Sequence, residues 1–305
     1  MKRKFLAEKV NHTYQRTVSG FNIFYDPSDY LVYYTIFSIM ASRYDIIVYG
    51  LCLMIDHIHS LISTKTSSRL SGFMTNVTSV FVREYNKRHG RTGSLFPECF
   101  GSAPKVGLKL LRTAISYLYN NPVERFICRQ AQDYRWNFLA FVKTDSPFSE
   151  PIVLRSSSRA LRRALKVVDG KVSRKTYLTY NILDKIFSGL TESEREQLID
   201  YIIVRYSVIR YDLLTECYDD YERMLTAINS NAGSEYEITE SRYGRSDSEY
   251  DELIRYVRTR GFKIAGDVIS LGMDAKMTLM NDLFRETHAT TLQICKFLHL
   301  KKRGT

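Results

Sequence analysis

The sequence predicts an α+β fold of the ferredoxin-like kind, an antiparallel sheet with helices on one side, followed by a mostly α-helical second half. Three observations carry this expectation. Over the first 145 or so residues, short runs rich in β-formers alternate with apolar stripes at helical spacing. Residues 144–158, TDSPFSEPIVLRSSS, interrupt the pattern with proline and serine and no periodicity, as a domain connection does. Beyond them a helix-start signature and amphipathic stripes replace the strand signals.

The elements follow in order. Residues 10–18 alternate weakly between polar and apolar and are rich in Thr, Tyr and Val, so a strand is expected. Residues 29–43 place Val32, Tyr33, Ile36, Ile39 and Met40 at helical spacing, with Asp29 as cap. Residues 46–63 hold two apolar runs around Gly50 and read as a strand that bends or breaks there. A helix over 68–88 shows the stripe Leu70, Phe73, Met74, Val77, Phe81 and Tyr85. A further helix over 108–120 should end at Pro122, because the residue before a proline disfavours the α conformation. Thr191 and Glu194 form a capping box ahead of Leu198, Ile199, Ile202 and Ile203, opening one or two helices over 191–228. Residues 229–249 are polar and read as a loop. Segments 276–286 and 290–298 have the dimensions of a helix-turn-helix. The domains expected are therefore 1–145, a basic linker over 146–175, and a helical domain over 176–305 with a DNA-binding helix pair near 276–298.

Composition narrows the class. With 44 Lys and Arg against 33 Asp and Glu, the formal charge is +11. That excess favours a polyanionic partner, nucleic acid ahead of an anionic membrane. The charge is uneven: residues 151–175 carry 8 basic side chains against 1 acidic, whereas 192–252 carry 6 against 16. Five cysteines with no C-x-x-C pair argue against a disulfide framework or structural zinc, and for a reducing cytosol. The basic start lacks the apolar run of a secretory signal. The longest apolar stretch, 46–55, is about half of what a bilayer span needs. A membrane role is not expected.

Three stretches carry chemistry. In GLCLMIDHIHSLI, residues 50–62, His57 and His59 stand one residue apart in a strand-like run. Alternate strand side chains share a face, so both imidazoles can address one point, as bidentate metal capture requires. With 6 histidines in the chain, about 0.1 such pair would arise by chance. The spacing also suits two hydrogen-bonded histidines on a half-buried strand. In AISYLYNNPVER, Tyr117 and Asn121 lie four apart on one helix face. With 22 tyrosines in the chain, Tyr117 also suits core filling. Lys87, Arg88, His89 and Arg91, with Gly90 and Gly93, form a basic segment that could grip phosphates or simply face solvent.

These residues occur in a family order. His12 to Arg16, Phe24–Tyr25–Asp26, M-x-D-H-x-H-S-L-I at 54–62, Tyr85–Asn86 with Gly90–Arg91 and Gly93 to Phe96, Y-x-x-x-N-P at 117–122, and Tyr134 with Trp136 follow one another. Over roughly residues 9–140 the chain resembles the IS200-like, single-tyrosine HUH transposases, and within them most closely the REP-associated tyrosine transposases. It departs where Ile55 and Asp56 replace a usual Pro and Asn. It departs again at Phe96–Pro97–Glu98–Cys99–Phe100, where the family often has F-Q-x-R-F, so a habitual arginine is missing.

The resemblance implies that His57 and His59, with Asn121, hold Mg²⁺ or Mn²⁺, and that Tyr117 is the nucleophile. Asp56 could add a water-mediated contact. The implied reaction is metal-dependent nicking and strand transfer on single-stranded or hairpin DNA through a covalent 5′-phosphotyrosine. A cytoplasmic, nucleoid-associated, prokaryotic setting goes with it. Candidate DNA contacts are Arg16, Lys87, Arg88, Arg91, Arg159, Arg162 and Arg163. The other reading is a catalytically inactive, domesticated transposase acting as a DNA-binding regulator. Whether the protein is a homodimer, and whether Tyr117 meets the histidines of its own chain, stays open at this level, as does a purely dimerising role for the helical half.

Overall fold

The computed structural model describes residues 4–97, 100–230 and 247–300. Four strands form one antiparallel sheet: β1 (Val10–Arg16), β2 (Ile47–Met54), β3 (His57–Ser63) and β4 (Gly101–Lys105), in the order β2-β3-β1-β4. Helices α1 (Pro27–Arg43) and α2 (Ser67–Arg88) provide the connections, and α3 (Leu108–Glu124) follows β4. This is the ferredoxin-like arrangement expected.

The α2 stripe is buried at all six expected positions. Its N-cap is Thr66, whose hydroxyl accepts from the Arg69 N–H at 3.2 Å. For α1 the cap is Asp26 rather than Asp29. Asp29 sits one turn in, and its carboxylate accepts the N–H groups of Tyr25 and Asp26 at 2.8 and 3.0 Å. The break expected at Gly50 falls instead at Ile55 and Asp56, a tight turn joining β2 to β3, while the ladder is only irregular between Val48 and Gly50. Strand β4, sequence GSAPK, lies on the sheet edge, where the proline at 104 is tolerated because its missing N–H is not needed by a second neighbour.

Helices occupy both faces of the sheet. On one, Gln15 of β1 bonds Thr78 of α2 at 3.0 Å and α1 packs against α2; helices are expected on this side alone, but the apolar side of α3 needs a surface to cover and takes the other. The opposite face belongs to α3. Gly50 marks the contact: a Cβ there would lie 3.2 Å from the Tyr119 hydroxyl and 3.4 Å from Leu118. Helix α3 also runs through Pro122 to Glu124 instead of stopping before it. In the last turn a proline forfeits one helical bond, and packing offsets that loss.

The helical half comprises α4 (Arg159–Ser173), α5 (Tyr180–Phe187), α6 (Glu192–Tyr206), α7 (Tyr211–Glu216), α8 (Tyr221–Ser230), α9 (Ser248–Thr259), α10 (Met273–Glu286) and α11 (Thr291–Phe297). The Thr191–Glu194 capping box is present, with reciprocal bonds of 3.3 Å. Half of the segment expected as a basic linker, 146–175, is α4, whose Leu161, Ala164, Leu165 and Val168 are buried. Most of the expected loop, 231–246, lies outside the described residues, as do Glu98 and Cys99. This half wraps the sheet domain. Helix α6 covers α1, where the Tyr34 hydroxyl donates to the Ile203 carbonyl at 3.0 Å, and α8 covers α3. Residues 209–210 close the outer edge of β2, the Arg210 N–H donating to the Val48 carbonyl at 2.8 Å.

An aromatic nucleus holds the α1–α2 layer to its surroundings. Phe81 is fully buried, with Tyr33 edge-on at 5.1 Å and Phe24 at 5.9 Å. Replacing Phe81 with Ala is expected to cost about 3–5 kcal/mol. Chemical denaturation would show this as a lowered midpoint at unchanged slope.

Candidate active site

Strand register places the chemistry. In the β1–β3 ladder Tyr14 opposes His59 and Arg16 opposes His57; on the other side Cys52 opposes His59 and Met54 opposes His57. Directly opposed residues share a face, and alternate residues return to it. His12, Tyr14, Arg16, His57 and His59 therefore point the same way, towards α3.

Tyr117 descends from α3 onto this group. Its ring meets His59 edge-on at 5.5 Å and His12 edge-on at 5.7 Å between centroids, all within one chain. His57 and His59 are 5.0 Å apart and nearly perpendicular. Each histidine commits its Nδ1 to the protein. His57 Nδ1 lies 2.5 Å from Asp56 Oδ1, and His59 Nδ1 lies 3.0 Å from His12 Nε2. Such contacts hold a ring in orientation and leave Nε2 as the nitrogen that could meet a metal. Asn121 is buried one turn beyond Tyr117, and its amide N–H donates to the Tyr117 carbonyl at 2.8 Å. The amide oxygen is then the atom with which it could hold a metal.

Electrostatics suit a metal at this point. Burial, joined by repulsion from His57, Arg16 and Arg125, holds His59 well below the usual histidine range, which favours the neutral imidazole that a metal could use. Burial works to raise Asp56, but attraction to and a hydrogen bond with His57, then Lys296 and Arg125, prevail and keep it ionised. Two neutral or hydrogen-bond-oriented imidazoles and an amide oxygen fit a divalent ion that retains water ligands. Among the described residues, no group of three or more His, Cys, Asp or Glu is arranged to hold a metal.

The helical half reaches this site. Asp247, just before α9, donates its backbone N–H to the Arg125 carbonyl at 2.9 Å, at the end of α3. Burial, then repulsion from Asp56, raises the Asp247 carboxyl to about 6. A folded-state value above that of the unfolded chain means this group favours the folded state in acid and loses that contribution as pH rises from about 4 through 6. Asp247→Asn is therefore expected to stabilise the fold by about 1–2 kcal/mol at pH 7.5 and by far less at pH 4. Denaturant unfolding at the two pH values measures the difference.

The expected DNA contacts divide. Arg16 is exposed at the end of β1 beside His57, and Lys87 is exposed at the end of α2. Arg88 is held by Asp184 at 2.6 Å and lies over the Tyr180 ring, so it serves the join between the two halves. Arg91 bonds Asn86 at 2.7 Å, and His89 is buried. Arg159, Arg162 and Arg163 are exposed along one side of α4. The expected helix pair exists as α10 and α11, yet Gln293, Ile294 and Phe297 of α11 are buried against the rest of the protein rather than presented to a groove.

Sequence reasoning did not identify His12 as a site residue, nor Arg125, Asp247 and Lys296. His12 alone left a signal, since it alternates with Tyr14 and Arg16 along one strand.

A ferredoxin-like sheet with an H-x-H pair on a central strand, crossed by a helix that brings a tyrosine onto those imidazoles, defines a class of DNA-processing domain. Residues 12–119 match the family model described as "Transposase IS200 like", and this part of the chain is similar to the IS200-like transposases. No curated protein and no solved structure matches the chain significantly. No helix among the described residues is long and apolar enough to cross a membrane.

Proposed function

We propose that the protein nicks and rejoins single-stranded or hairpin DNA through a covalent 5′-phosphotyrosine at Tyr117, in the manner of REP-associated transposases. The observation that carries this reading is the meeting of Tyr117, His59 and His12 in one chain, with His57 alongside. His57, His59 and Asn121 are the residues that would hold Mg²⁺ or Mn²⁺, which when bound polarises the scissile phosphate and neutralises its developing charge.

The remaining chemistry belongs to the chain. The Tyr117 oxygen forms a bond to phosphorus as the bond from phosphorus to the 3′ oxygen breaks; the phenolic proton is given up and the leaving oxygen departs as a 3′-OH. Attack of another 3′-OH on the phosphotyrosine reverses these changes and restores the phenol. Arg16, beside His57, and Lys87 supply cations for the DNA backbone, with the exposed α4 arginines as a second set. Burial of the Tyr117 ring, which is 7% exposed, favours the second reading, a regulator that binds DNA without cutting it. Incubation with a labelled hairpin oligonucleotide and Mn²⁺ decides between them. A protein–DNA band that survives denaturant is expected, and binding with no such band would leave only the regulator.

A further inference from the structure

A lysine from the far end of the chain reaches the turn that carries His57. That turn, Ile55–Asp56, is held by the loop before α1: the Thr17 N–H donates to the Asp56 carbonyl at 3.0 Å and the Ile23 N–H to the Ile55 carbonyl at 2.9 Å. Helix α11 grips the other side of the same loop. The Tyr25 hydroxyl donates to the Phe297 carbonyl at 2.6 Å, His299 Nε2 lies 2.6 Å from the Asn22 carbonyl, and the rings of Phe21 and His299 stack at 4.7 Å.

Lys296 passes over Gly20 on its way to Asp56. Gly20 has φ +65°, and a Cβ there would sit 3.1 Å from both Cε and Nζ of Lys296. A side chain at position 20 would thus be strained by its backbone and would press on the lysine's path. The ammonium ends 3.7 Å from Asp56 Oδ2, while Asp56 Oδ1 faces His57 Nδ1. Both carboxylate oxygens are therefore committed within the protein. An ionised carboxylate only accepts, so Asp56 takes an N–H from Nδ1 of the His57 ring and leaves Nε2 as the nitrogen it does not engage.

The geometry points to Asp56 and Lys296 as positioning residues that hold the His57 ring with Nε2 available to the metal, so that α11 sets the metal affinity of the site. This rests on the metal reading above. An asparagine at position 56 would offer His57 a neutral acceptor and Lys296 no counter-charge, so the charge at Asp56 and the lysine from α11 belong together.

The test uses the full chain and reads two quantities: the His57 tautomer in the metal-free protein, by long-range ¹H–¹⁵N spectra of its histidines, and Mn²⁺ affinity by electron paramagnetic resonance. Asp56→Ala is expected to mix the tautomers and weaken Mn²⁺ binding about 10–100-fold. Lys296→Met should weaken it by about threefold or more, with Lys296→Arg restoring it. The lysine is half-buried, so this pair keeps the test alive should Asp56→Ala fail to fold. Wild-type tautomer and affinity in both Asp56→Ala and Lys296→Met would overturn the assignment. A wild-type protein that binds no Mn²⁺ would instead sink the metal reading and the control of affinity with it, while the tautomer spectra would still decide whether Asp56 orients His57.

Discussion

Tyr117→Phe is expected to abolish denaturant-resistant DNA adducts while leaving DNA binding within about twofold of wild type, since one hydroxyl is lost and the exposed cations are unchanged. The ring would still fill its place against His12 and His59. Loss of a nucleophile removes the covalent route altogether, a drop on the order of 10⁶ in systems where it has been partitioned. A gel under denaturing conditions and a binding titration, run on the same preparation, provide both readouts. Adducts persisting in the variant would assign the nucleophile to another residue and would undo the proposed reaction.

The second large effect is expected from His57→Ala combined with His59→Ala. Both imidazoles are buried on a central strand, so the truncations leave space as well as removing ligands. Cleavage in Mg²⁺ or Mn²⁺ should fall on the order of 10²–10³-fold, the scale set by several kcal/mol of charge stabilisation. Metal dependence should vanish with it. His12→Ala is the informative companion, because it removes the partner of His59 Nδ1 and neither proposed imidazole ligand. Undiminished, metal-dependent cleavage in the double variant would exclude these histidines as ligands. Thermal unfolding of the same proteins separates lost chemistry from lost structure.

Much of this was legible in the residues. The α2 stripe, the Thr191–Glu194 box and the placement of His57 and His59 on a strand all followed from local periodicity, which the folded chain respects. Where reasoning failed, the cause was not local. Strand β4 contains Gly, Ser, Ala, Pro and Lys, with no β-former, and owes its state to an unpaired edge of β1. Helix α3 passes Pro122 because the sheet on one side and α8 on the other hold that turn in place. His12 joins His59 through a register that fixes residues 47 apart, and no propensity encodes a register. Asp247 and Lys296 come to the site from an expected loop and an expected helix in the other half of the chain, and neither signal pointed back to the sheet.

Helix α3 is also fastened from outside. Asn120 donates to the Ile228 carbonyl at 2.7 Å, Arg112 donates to the Cys217 carbonyl at 2.6 Å, and the Tyr218 hydroxyl donates to the Arg112 carbonyl at 3.1 Å. Lending the Tyr117 helix to a second molecule would mean breaking all of these together with its contact on the sheet. Each copy of the chain thus keeps Tyr117 beside its own His12 and His59.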